Sequence, residues 1–196
     1  MARRYELKER ARAQEATRQR IVDATISLHR EVGPARTTVA EIARRAGVGR
    51  VTVYNHFPDE TALLAACSAH WIAANPPPDP AAWAAIENPA KRLRRALAEL
   101  YAYFGANEAM LANVTRDASL VPALAEVLSA AGAADHERAM REALLSGRTL
   151  KGGRGRRTRA AVGLAVSFST WHRLTREEGL EDSQAVKLMV RAIEAP

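Results

Sequence analysis

Apolar residues return along this chain at intervals of three and four, the period of helices that bury one side. The pattern is most compact between Arg36 and Leu64, RTTVAEIARRAGVGRVTVYNHFPDETALL. Val39, Ile42, Ala43 and Ala46 fall at i, i+3, i+4 and i+7, one apolar stripe, and Gly47 supplies the left-handed residue that ends the helix. Thr38 and Glu41 stand as T-x-x-E before that stripe and predict a capping box. A second helix must start almost at once, over Arg50 to Phe57. At 100° per residue Val53 and Phe57 share a side with Gly49, while Val51, Thr52, Tyr54 and Asn55 point away. Ahead of this pair, Ile21, Ala24, Thr25, Leu28 and Val32 form a stripe that stops at Gly33-Pro34, a supporting first helix. After it, Asp59 caps a fourth helix with Leu64, Cys67 and Trp71 on its apolar side. Cys67 on that stripe reads as core packing.

The second part of the chain opens with NPPPDPAAWAAIENP, Asn75 to Pro89, whose five prolines mark a boundary. Asn88-Pro89 then starts a helix carrying Leu93, Leu97, Leu100, Tyr101 and Phe104, and Gly105 ends it. Asn107 caps a helix with Met110, Leu111 and Val114 inward; Pro122 opens one with Leu124, Val127 and Leu128; a further helix covers Ala133 to Ser146. Arg148 to Arg159, RTLKGGRGRRTR, is basic and rich in glycine and reads as a mobile solvated loop, with a second DNA contact as the alternative. From Thr158 to Glu178 a single helix is predicted with two apolar stripes, and the closing helix, Ser183 to Glu194, adds another. A helix that is apolar on two sides must be covered on two sides. Its own domain supplies one cover, and the same helix pair from a second subunit supplies the other. Val162, Val166, Trp171, Val186, Met189, Val190 and Ile193 are the candidates for that seam. The expected fold is all-α with about nine helices: a basic arm over 1–20, a three-helix helix-turn-helix domain over 21–74, and a helical bundle over 75–196.

Composition narrows the function without naming it. At 196 residues with 47% apolar side chains the chain can bury a core, and no uninterrupted apolar run approaches the ~18 residues of a membrane span. The formal charge of +7 favours polyanionic partners. Residues 3 to 20 carry seven basic side chains against three acidic ones, so Arg3 and Arg4 are candidates for phosphate or minor-groove contact, with a solvated tail as the alternative. One cysteine excludes an internal disulfide framework, and the first residues lack the apolar core of a secretory signal, so the cytoplasm is the expected compartment. No GxSxG, GxxxxGK[ST] or HExxH occurs, and the five histidines show no metal-ligand spacing with Cys67. The chain is expected not to be an enzyme, and no cofactor or metal is implied.

The outward side of the second short helix carries the chemistry. Val51 and the Thr52 methyl suit thymine methyls, Asn55 suits an adenine edge, and Arg50 suits guanine or a phosphate; Tyr54 and His56 flank them. This is the layout of a helix-turn-helix whose second helix reads the major groove, with Thr38 at the start of the first.

The order T-T-V-x-E-I-A-x-x-A-G-V, three residues, T-V-Y-N-H-F-P, then A-L-L, at Thr37 to Val48, Thr52 to Pro58 and Ala62 to Leu64, resembles the DNA-binding domain of the tetracycline-repressor (TetR) family. It covers about the first third of the chain. The resemblance implies a homodimer on near-palindromic double-stranded operator DNA, with half-sites about 34 Å apart or a multiple of it, and release by a small-molecule effector of unknown identity. Such a site is expected among the later helices, with Trp71, Tyr101, Phe104, Met110, Asn113, Arg116, Asp117 and Phe168 as candidates chosen by position. An activator, a ligand-independent regulator and a general architectural DNA-binding protein stay open beside the repressor. The sequence departs from the family at Glu60, where members commonly carry a lysine that meets phosphate.

Overall fold

The computed structural model describes residues 2–195, without the side chains of residues 2–4 and 7. Every regular element among the described residues is helical. The expected division into a helix-turn-helix head and a bundle is modified in one respect: two compact units form, one running to Asn75 and including Ala109–Ala131, the other made of Pro76–Glu108 and the chain from Gly132 onward.

The first unit begins with α1, Ala2–Glu31, which extends the predicted first helix back through the basic stretch. The expected arm is therefore helical. Arg3 and Arg4, its candidate contacts, lie outside the described side chains. α2 (Val39–Ala46), α3 (Arg50–His56) and α4 (Glu60–Ala74) follow. α1 packs on α2 and α4, and Ile21, Val22, Leu28, Ile42, Ala43, Val53, Phe57 and Cys67 share one core. Burial pushes the Cys67 thiol up to about 12, so it sits there as an inert apolar group. α7 (Glu108–Asp117), from Ala109 onward, and α8 (Pro122–Ala130) complete the unit, with Leu124 and Val127 of α8 against Leu64 of α4.

The second unit contains α5 (Pro80–Ala84), α6 (Pro89–Ala106), α9 (Ala133–Leu145), α10 (Gly152–Ala165), α11 (Phe168–His172) and α12 (Asp182–Glu194). α6 is its central helix, in contact with α5, α9, α11 and α12. Trp83 of α5 is buried and donates its indole N–H to Glu99 at 2.7 Å, a packing residue tied by one polar bond. Arg92 is also buried, and its guanidinium donates to the carbonyls of Ile86, Ala143, Ser146 and Glu87. It closes the C-terminal end of α9, whose last carbonyls have no helical partner.

Three expectations need correction. The basic, glycine-rich segment is largely helix: α10 starts at Gly152, and a Cβ on Gly155 would collide with the Leu150 backbone, so glycine is required for the chain to fold back there. The long helix expected from Thr158 to Glu178 is interrupted at Val166 and Ser167, restarts as α11, and ends in a π-helical turn over Arg173–Glu177. Finally, the seam residues Val162, Val166, Trp171, Met189, Val190 and Ile193 are buried within their own unit. Trp171 packs on Phe104 and Phe168, with ring centroids 5.9 and 5.5 Å away, and donates to Asp182 at 2.9 Å. Periodicity identified the apolar sides correctly but could not say which body covers them. Val186 alone of the seven is only half-buried, while Leu164 and Leu188 are 58% and 45% exposed.

Candidate nucleic-acid interface

The turn between α2 and α3 is built from local rules. Gly47 takes a left-handed conformation at φ 66°, where its amide meets the Ala43 and Arg44 carbonyls, and the Val48 amide returns to the Ala43 carbonyl at 3.0 Å. Gly49 then opens α3 in extended conformation. At the other end of α2, the Thr38 hydroxyl accepts from the Glu41 amide at 3.2 Å. Only this half of the predicted capping box forms. The Glu41 carboxylate turns instead to Arg44, with Arg45 nearby, which holds its pKa below the usual value.

α3 is fixed by two side chains and free on the rest. Val53 is 1% exposed and Phe57 3%, both in the core of the unit, and the Arg18 guanidinium lies 4.9 Å from the Phe57 ring centre. Of the other side chains, Val51 is 72% and Tyr54 55% exposed, Arg50 and Asn55 are exposed, and Thr52 and His56 are half-buried. A valine open to this degree on a short helix has no role in the core of its own unit. The exposed side chains of α3, with the exposed Thr38 at the start of α2, offer a cation, an amide, a hydroxyl, a phenol and an apolar branch. Those groups match the donors, acceptors and thymine methyl of a major groove.

At the start of α4 the Asp59 carboxylate accepts from the Ala62 amide at 2.7 Å, and Glu60 beside it is exposed. Both acids suit a helix N-terminus and repel phosphate.

The profile described as bacterial regulatory proteins, tetR family, matches residues 21–67. Over residues 21–67 the chain is similar to the tetR family. An HTH-type transcriptional regulator of Mycobacterium bovis is 47% identical over 55 residues, 28% of this chain and 29% of that protein. The HTH-type transcriptional regulator BetI of Serratia proteamaculans is 42% identical over 55 residues, 28% of each chain. The chain thus matches under a third of the length of these curated relatives. The fold likeness extends further. A TetR-like transcriptional regulator from Rhodococcus sp. RHA1 superposes with a TM-score of 0.62 at 19% identity, over 91% of this chain and 93% of that one. NalD of Pseudomonas aeruginosa, described as the secondary repressor of the MexAB-OprM multidrug efflux pump, gives 0.61 at 19% identity over 93% and 96%.

Outside the tetR head, the eight effector candidates fall into two sets. Asn113, Arg116 and Asp117 belong to the first unit and hold the end of α1. The Asn113 amide donates to the His29 and Arg30 carbonyls, both at 2.9 Å; Arg116 donates to the Val32 carbonyl at 3.0 Å and to Asp117; and the buried Asp117 accepts from the Ala35 amide at 3.0 Å. These contacts make them a structural clamp. Met110 is buried in the same unit, and Trp71 is half-buried with the Arg30 guanidinium 5.9 Å from its ring centre. Tyr101, Phe104 and Phe168 lie in the second unit, where Phe104 meets Phe168 edge-on at 5.5 Å and the Tyr101 hydroxyl donates to the Ala165 carbonyl at 3.2 Å. No cluster of three or more metal-ligating side chains occurs among the described residues, and no described helix is long and apolar enough to cross a membrane.

Sequence reasoning missed two groups. Arg92 stands among the inward positions of α6, and a lone cation on an apolar face was the available signal. His29 is buried beneath the head, and burial lowers its pKa to about 4 while the Asp117 carboxylate opposes the shift. Nothing in the spacing marked it.

Proposed function

We propose that the protein is a sequence-specific DNA-binding transcriptional regulator, a homodimeric repressor that a small molecule releases from its operator. The observation that carries the reading is the division of α3, with Val53 and Phe57 anchored and Val51, Tyr54, Asn55 and Arg50 presented outward. In this reading Arg50, Thr52, Asn55 and the Val51 side chain contact base edges, while Thr38, Tyr54 and His56 position the helix on the backbone. A double-stranded, near-palindromic operator then matches two heads in a dimer. The protein acts in the cytoplasm, where its DNA is.

The dimer reading draws support from Leu164 on α10 and Leu188 on α12, large apolar side chains left open on the last long helices, together with Val186. A second copy covering them is expected, and Leu188→Arg should yield a monomer in sedimentation with the helical content retained. A wild-type protein that sediments as a monomer at micromolar concentration removes the dimer from the account. The effector step requires a ligand that binds the free and operator-bound forms with different affinity. A ligand found by thermal shift that leaves operator affinity unchanged would contradict release.

A further inference from the structure

The segment Arg148 to Arg159 is ordered around a pocket in the second unit. A cavity of about 340 Å3 is walled by Arg148, Thr149, Lys151, Arg154, Thr158, Ile193 and Glu194. Its size is at the lower end of small-molecule sites. Three cations converge on it, and none of the three forms a salt bridge with a carboxylate among the described residues. Arg148 is held in place from behind, where its guanidinium donates to the Leu144 carbonyl at 3.0 Å and the Pro89 carbonyl at 3.2 Å. Partial burial and the neighbouring Arg92 lower its pKa, so its charge is under-compensated, and Glu194 only partly offsets this.

Glu194 makes the pocket more selective than a patch of positive charge. One carboxylate oxygen faces Arg94 at 3.4 Å; the other is buried with no hydrogen-bond partner. A buried acceptor of this kind costs free energy until a donor reaches it. A phosphate alone would be attracted by the cations and repelled by this oxygen. A molecule with a phosphate at one end and a hydroxyl next to it satisfies both. We propose that this pocket binds a small phosphorylated molecule that carries a hydroxyl, of the sugar-phosphate or nucleotide class, with Arg148, Lys151 and Arg154 on the phosphate and Glu194 on the hydroxyl.

The backbone adds to the same end of the site. Lys151 occupies the cap position of α10 without a side-chain cap bond, and the glycines that follow leave the first amides open to an anion. A concave pocket with an acid in its wall does not suit the continuous phosphate rail of duplex DNA, so the site is distinct from the reading surface of α3.

The test is calorimetric titration of the full-length protein at physiological salt with ribose 5-phosphate, ADP, inorganic phosphate and ribose. Ribose 5-phosphate and ADP should bind, inorganic phosphate more weakly, and ribose not at all. Lys151→Ala with Arg154→Ala, both exposed and outside the core, should weaken ribose 5-phosphate by at least about tenfold at an unchanged unfolding midpoint. Arg50→Ala in the reading helix should leave that affinity unchanged, because the probe is not bound by the DNA-reading head. Glu194→Gln should reduce the preference for ribose 5-phosphate over inorganic phosphate. Absence of binding by every phosphorylated probe, an unaltered affinity in the double variant, or a loss caused by Arg50→Ala overturns the proposal.

Discussion

The buried Asp117 carboxylate accepts the Ala35 amide at 3.0 Å, joining α7 to the turn that follows α1. The same carboxylate receives Arg116 through two hydrogen bonds, of 2.7 and 3.0 Å, and Gly33 beside it has φ 92°, where a Cβ would strike both side chains. Asp117→Ala leaves the Ala35 amide and one face of Arg116 unpaired and is expected to cost about 2 kcal/mol in urea unfolding. Gly33→Ala should cost at least as much, through backbone strain as well as collision. A loss under about 0.5 kcal/mol for both would mean the clamp does not hold the end of α1.

Acid should weaken the head through His29 before it reaches the carboxylates. The folded state binds this proton only near pH 4, whereas the unfolded histidine titrates at 6.5. Stability from the neutral ring is therefore complete above 6.5 and is lost as the pH falls from there toward 4. The loss between about pH 7 and about pH 5 is on the order of 2 kcal/mol. Asp117 and Glu108, held low by Arg116 and Arg176, lose their contribution only below the ordinary carboxylate range, a separate window. An NMR titration of the His29 ring gives the check. A midpoint near 6.5 in the folded protein removes the effect.

Arg92 predicts a different kind of loss. Its substitution by Met keeps most of the volume but strips donors from four carbonyls at the junction of α5, α6 and α9. The expected cost is about 3 kcal/mol, read as a lower melting temperature. A neutral effect would show that water replaces the guanidinium.

The reading surface should separate base contacts from charge. Asn55→Ala or Arg50→Ala should each lose about 1–3 kcal/mol on the preferred duplex and relax preference at a definable position. Glu60→Lys should instead tighten every duplex alike and steepen the salt dependence by about one phosphate contact. Equal losses on preferred and random DNA for Asn55→Ala would overturn the assignment of α3 as reader. An unchanged salt slope for Glu60→Lys would place the start of α4 away from the backbone.

The head was legible because its signals are local. Gly47, the Val39–Ala46 stripe and the Asp59 cap each fix geometry within a few residues, and the boundaries of α2, α3 and α4 follow from them. The second part was legible as helices and less so as an arrangement. Asn88-Pro89 marks the start of α6 in sequence and in structure. Yet α7 and α8 look in sequence like further helices of the bundle and pack instead with α1 and α4. Val162, Trp171 and Ile193 were apolar at the right spacing for a seam and are covered by their own unit, because a periodic stripe records burial and not the partner. The glycines of Arg148 to Arg159 resembled a loop for a similar reason: the demand on Gly155 comes from Leu150 folding back over it, a contact no spacing rule contains.

The most direct measurement is selection from a random duplex pool by the purified protein, followed by binding of the enriched and a scrambled sequence across a salt series. The account predicts an inverted repeat bound about 10³-fold or more above the scrambled duplex, a preference that persists as salt rises and is lost in Asn55→Ala. Recovery of no common sequence, with binding that tracks salt equally on any duplex, would contradict a sequence-specific regulator and identify a general DNA-binding protein in its place.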